Sequence, residues 1–185
     1  ERAGRDPSEI DAVLLTSVCR EHFEPATACR VADLLGARHA SWVHDISNAC
    51  LGVLSGIIDL ANRIELGQIR SGVVVACESA REITERAIAQ LLAHPSMENY
   101  RETLATLTGG SGAAAVVVGE GQGRGIGARL HGGVSQSDTR FHALCRWGLS
   151  DNLTGSPLVH LASGLGPDRK STRLNSSHIP LSRMP

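Results

Sequence analysis

Lysine is all but missing from this 185-residue sequence: the single one is Lys170, and every basic residue before it is arginine. No apolar run is long enough to span a bilayer, and no signal-peptide pattern stands at the start, so neither a membrane-spanning helix nor a secretory leader is expected. The five cysteines, at 19, 29, 50, 77 and 145, include no Cys-X-X-Cys pair, and their number is odd. That argues against a disulfide framework or a zinc site and points to a reducing cytoplasm. A strong charge of either sign is also lacking: the formal net charge is -1, which speaks against nucleic acid or an anionic membrane as partner. No short-period repeat is visible. The first residue is Glu rather than Met and starts in mid-pattern, which leads to the expectation of a truncated reading frame, with a processed N-terminus as the alternative.

What is present is globular in composition, 42% hydrophobic and 20% charged, in a length suited to one ordinary domain. Apolar runs alternate with helical patterns. Ala12–Ser17 reads as a strand buried on both faces, Thr27–Leu35 as a helix stopped by Gly36, and Ser41–Ile46 as a second strand. Over Leu51–Leu66 apolar residues return every three or four positions, a helix closed by Gly67. Gly72–Cys77 is a β-branched strand, Ile83–Leu92 a helix ending near Pro95, and Gly112–Val118 a strand entered through Gly109-Gly-Ser-Gly112. Gly119–Gly127 is a glycine-rich loop, a poor phosphate cradle because no clear helix follows it. This alternation predicts an α/β fold with a mostly parallel sheet and helices on its faces.

The composition changes at Asp168. From there to the end, four basic residues (Arg169, Lys170, Arg173, Arg183) stand against one acidic residue. Asp168 to His178 is similar to one reading frame of a sequencing adapter; the plain alternative is a Ser/Arg-rich tail. The stretch 168–185 is therefore expected to be a non-native tail.

Cys50 falls where a strand gives way to an apolar helix. A thiol there feels the positive end of the helix dipole, with unpaired N–H groups nearby that favour thiolate and could hold an oxyanion. Gly52, Ser55 and Gly56 are small enough to leave room beside the sulfur. The competing reading is a buried small hydrophobe, and Cys19, Cys29, Cys77 and Cys145 have less in their favour.

Asp45-Ile-Ser-Asn-Ala-Cys-Leu-Gly52 resembles the nucleophile segment of the β-ketoacyl-acyl-carrier-protein synthase III family of the thiolase superfamily. Thr16–Arg20, Glu24–Val31, Glu65–Val75 and Thr108–Val117 match the same family in the same order, so the resemblance spans about Asp11 to Val118. It implies one half of a thiolase-like fold with a mixed sheet, incomplete at both ends, with a partial N-terminal half over 1–127 and a connector over 128–167, and Cys50 as an acyl-accepting nucleophile. Phe23-Glu-Pro-Ala-Thr-Ala28 and Asp138–Arg146 are similar to the long-chain olefin-pathway branch, whose members join two fatty acyl-CoA molecules head to head. In that branch the residue matching Glu24 is thought to serve as base in the partner subunit's site. An apolar tunnel would raise its carboxyl to suit that task; the alternative is a solvent-facing charge ahead of a helix.

The family completes its site with a histidine and an asparagine from the second half of the fold. None of the eight histidines (22, 39, 44, 94, 131, 142, 160, 178) has that context, so none is assigned. Ser111 stands where the family has aspartate, a departure the olefin branch tolerates. The resemblance thus implies acyl-CoA as substrate, no cofactor or metal, a homodimer, and acyl carrier protein as partner only in the malonyl-dependent branch of the family. Two other readings stay open: ordinary synthase III chemistry with a malonyl donor, and a non-catalytic truncated copy whose exposed apolar faces would limit its solubility.

Overall fold

The computed structural model describes residues 3–20, 24–121, 128–142, 145–149 and 159–163. The tail expected over 168–185, and residues 122–127 of the glycine-rich loop, lie outside them.

The elements are β1 (Ala12–Leu15), α1 (Thr27–Leu35), β2 (Trp42–Asp45), α2 (Gly52–Glu65), β3 (Ser71–Glu78), α3 (Arg81–Ala93), α4 (Met97–Leu107), β4 (Gly112–Gly119), β5 (Cys145–Leu149) and β6 (Val159–Ser163). They fall into two compact units, one of residues 1–79 and 110–130, the other of residues 80–109 and 131–185.

The first unit holds a four-stranded sheet in the order β2-β1-β3-β4. β2, β1 and β3 are parallel, and β4 runs antiparallel to β3 with Val74 opposite Val116. The sheet is therefore mixed. The central strand β1 is buried at all four positions, as its unbroken apolar run requires. Because successive side chains alternate faces, β1 feeds two cores. Val13 joins Ile10, Ala32, Ala37 and Val73 under α1. Ala12 and Leu14 join Leu60, Ile69 and Val74 under α2. One helix thus lies on each face.

Two glycines let α2 settle onto the sheet. A Cβ at Gly52 would stand 2.5 Å from the carbonyl oxygen of Thr16, and one at Gly56 2.8 Å from Val74 Cγ1. At its other end α2 is tied to β2: the Arg63 guanidinium stacks 3.7 Å from the Trp42 ring centroid and bonds Asp59 Oδ2 through Nε at 3.0 Å. α1 ends at Gly36, whose φ of 76° is the left-handed conformation that closes a helix; its N–H reaches the carbonyls of Ala32 and Asp33.

The second unit contains α3 packed on α4, and the antiparallel pair β5–β6. The sequence pattern ends its helix near Pro95 and gives no sign of α4. Ser96 caps that helix, its Oγ accepting from the Asn99 N–H at 3.1 Å. Among the described residues no helix is long and apolar enough to cross a membrane.

Candidate active site

Strands β1 and β2 end side by side, with Leu15 opposite Asp45. In parallel sheets the C-terminal ends of the strands are the usual place for chemistry. Beyond Asp45 the chain runs through Ile46, Ser47 and Asn48 into a single 3-10 turn, Ala49–Leu51, that leads directly into α2. Cys50 is the middle residue of this turn and is exposed.

Ala49 has a φ of 43°, the sole non-glycine residue with positive φ among those described. An L-residue held in the left-handed region costs about 1–2 kcal/mol, and such strain gathers at sites where a side chain must be aimed. Two contacts hold the turn. Gly52 rests on the Thr16 carbonyl, and Asn48 Nδ2 donates to Ser55 Oγ at 2.7 Å. The turn also consumes two of the amides expected to be free. The Leu51 N–H bonds the Asn48 carbonyl, and the Gly52 N–H bonds that of Ala49. Neither remains available to an oxyanion on the sulfur's substrate.

Glu24 precedes α1 and is exposed; its peptide bond to Pro25 is cis. The residue at the N-cap of α1, Ala26, offers no side-chain acceptor. Asp45 supplies one from β2: its Oδ2 accepts the Thr27 N–H at 3.0 Å and its Oδ1 the Ala28 N–H at 2.9 Å. Arg20 Nε lies 3.8 Å from the same carboxylate, whose side chain is only 7% exposed. One buried carboxylate thus fastens the start of α1, just after Glu24, to the strand that leads to Cys50. Glu24 and Cys50 both lie beyond the C-terminal ends of β1 and β2, with no hydrogen bond joining them among the described residues. Glu24 is exposed, and no apolar tunnel encloses it among the described residues.

Sequence reasoning did not single out Ala49, Asn48 or Asp45. The Asp45 cap was hidden because its partners stand 17 and 18 residues upstream. Ala49 carries no compositional mark, glycine being the residue that announces a positive φ. Nearby, the Glu78 carboxylate accepts the Val18 N–H at 2.7 Å and the Cys19 N–H at 3.1 Å, and Ser17 Oγ accepts the Cys77 N–H at 2.7 Å. These bonds set the segment that follows β1. A shallow depression of about 400 Å³, lined by Arg5, Glu9, Arg70, Ser71 and Glu120, lies at the opposite end of the sheet. It holds none of the candidate chemistry.

No family model matches the sequence. An acyl-CoA:acyl-CoA alkyltransferase of Shewanella oneidensis is 53% identical over 151 residues, covering 80% of this chain and 43% of that protein. The enzyme of the same description from Xanthomonas campestris is 34% identical over 152 residues, covering 82% of this chain and 45% of that protein. A β-ketoacyl-acyl-carrier-protein synthase III of Clostridium perfringens is 33% identical over 78 residues, 42% of this chain. Among solved structures, Xanthomonas campestris OleA superposes with a TM-score of 0.70 at 34% identity, over 76% of this chain and 42% of that one. Its cerulenin-bound form gives 0.73 at 31% identity, over 91% and 44%. The chain spans less than half the length of these alkyltransferases. Sequence and fold agree over that span, and the chain belongs to the thiolase superfamily of condensing enzymes, alongside the acyl-CoA:acyl-CoA alkyltransferases and, at greater distance, the synthase III enzymes.

Proposed function

We propose that Cys50 accepts a fatty acyl group from coenzyme A, as the first half of a head-to-head condensation of two acyl-CoA molecules to a β-keto acid. The Cys50 thiolate attacks the thioester carbonyl, the acyl–sulfur bond to coenzyme A breaks, and coenzyme A leaves as the free thiol with the proton that Cys50 gave up. A second acyl-CoA, losing a proton from its α carbon to Glu24, then attacks the acyl-Cys50 carbonyl and releases the Cys50 sulfur. Hydrolysis of the remaining coenzyme A thioester gives the β-keto acid.

The observation that carries this reading is the strained turn that presents an exposed cysteine at the head of α2, over the ends of the parallel strands. Solved forms of the Xanthomonas relative support the pairing of residues. They include ones substituted at a glutamate and at a cysteine that stand 26 positions apart, the interval between Glu24 and Cys50. One of them holds lauric acid and lauroyl-CoA. The chain spans less than half the length of that relative, whose other solved forms include ones substituted at a histidine. Acylation is therefore the step proposed for this chain, and carbon–carbon bond formation belongs to the whole protein. That protein works in the cytoplasm as a homodimer in which Glu24, exposed in the single chain, is covered by the partner's site.

Incubation with dodecanoyl-CoA should release coenzyme A and add one acyl group, located by peptide mapping on Cys50, and Cys50→Ala should lose both. Acylation on Cys29 or Cys77 instead would end the reading. In the whole protein, Glu24→Gln should keep acylation and stop the condensation. If the whole protein condenses only when given a malonyl-carrier protein, the synthase III reaction replaces the one proposed.

A further inference from the structure

We propose that the Asn48–Ser55 hydrogen bond is a latch that fixes the turn carrying Cys50, which makes Asn48 a positioning residue for the thiol. Its functional meaning rests on Cys50 as acyl acceptor; its test does not.

Asn48 is the residue before the 3-10 turn, where an asparagine ordinarily bends its side chain onto the turn's own amides. Here it makes no such cap. Its amide reaches forward instead, across the turn, to the hydroxyl of Ser55 in the first turn of α2, at 2.7 Å. The two ends of this bond straddle the cysteine, one two residues before it and the other five after. Ala49, between Asn48 and Cys50, sits at a φ of 43°, from which an alanine would relax to negative φ if released. Relaxation would swing the Cα–Cβ bond of Cys50 away from its present direction. On the sheet side the turn cannot move, because Gly52 already rests on the Thr16 carbonyl. The side open to solvent, where Asn48 and Cys50 are exposed, is held by the Asn48–Ser55 bond. A bond of this kind between side chains at the surface adds little to global stability. Its effect is confined to the loop it closes, and that loop contains Cys50.

The test is carried out on the chain as it stands, by measuring iodoacetamide labelling of each cysteine with peptide-resolved mass spectrometry. Cys29 and Cys77, both exposed, serve as internal references. Asn48→Ala and Ser55→Ala should each lower the labelling rate of Cys50 relative to the references by about tenfold, the size expected for one lost hydrogen bond. The double variant should be no slower than either single one. Adding Ala49→Gly to Asn48→Ala should restore part of the rate, since glycine adopts positive φ without a latch. Unchanged Cys50 labelling in both single variants, additive losses in the double variant, or equal losses at Cys29 and Cys77 would each overturn the proposal. If dodecanoyl-CoA fails to acylate wild-type Cys50 while this labelling pattern holds, the acyl-acceptor reading falls and the latch stands.

Discussion

Replacing Gly52 by alanine should loosen the head of α2 from the sheet and move Cys50 with it. The added Cβ would stand 2.5 Å from the Thr16 carbonyl oxygen and 3.1 Å from Thr16 Cβ. The oxygen belongs to backbone whose own N–H is bonded to the Val75 carbonyl at 2.8 Å, at the end of the central strand, so it cannot retreat. The helix must lift by about 1 Å to restore van der Waals distance. Overpacking of this kind costs about 1–3 kcal/mol, and the better helix propensity of alanine returns at most about 1 kcal/mol. A net loss of about 2 kcal/mol should lower the urea midpoint by about 1 M at an ordinary slope for a chain of this size. Gly56→Ala is the control. Its Cβ would meet Val74 Cγ1 at 2.8 Å and Thr16 Cγ2 at 3.1 Å, methyl groups with some freedom to shift, and mid-helix it gains the full propensity term. It should cost less than half as much. A Gly52→Ala midpoint within about 0.3 M of wild type, with the slope unchanged, would refute the account of how α2 is seated.

Asp45→Asn should destabilise the chain by about 1–2 kcal/mol, because it removes the charged acceptor for two α1 amides and the partner of Arg20; an unchanged melting curve by circular dichroism would show that α1 does not depend on this cap. Leu60→Ala should cost about 2–5 kcal/mol, since that side chain is fully buried against Gly72 and Val74. A loss below about 1 kcal/mol in denaturant titration would mean that the α2 core repacks freely.

The parts of the fold most legible in the sequence were those with strong local signals. Thr27–Leu35 was bounded to the residue because Gly36 supplies the left-handed stop, and the β1 run announced its burial on both faces. The Leu51–Leu66 periodicity found α2 but absorbed Leu51, which belongs to the 3-10 turn; a turn that tight keeps helical spacing in sequence and differs only in its hydrogen bonds. α4 went unread because Met97–Leu107 is largely polar and half-exposed, with no buried residue to set a period. The reversal of β4 was not legible from pattern alone. Alternation reports which faces are covered and not which way a strand runs. At the site, Cys50 and Glu24 could be named from motifs. The groups that hold them could not, since each acts through a contact between elements: Asp45 on α1, Gly52 on Thr16, Asn48 on Ser55.

Ala49 carries a consequence for how broadly the cysteine samples its surroundings. Glycine in that place would be unstrained, but it would also have most of the conformational map open to it, and the sulfur would wander accordingly. Alanine has only a narrow left-handed well. The strain therefore acts as a stiffener: what the turn loses in depth of its energy minimum it recovers as narrowness, and the thiol is kept on a short tether.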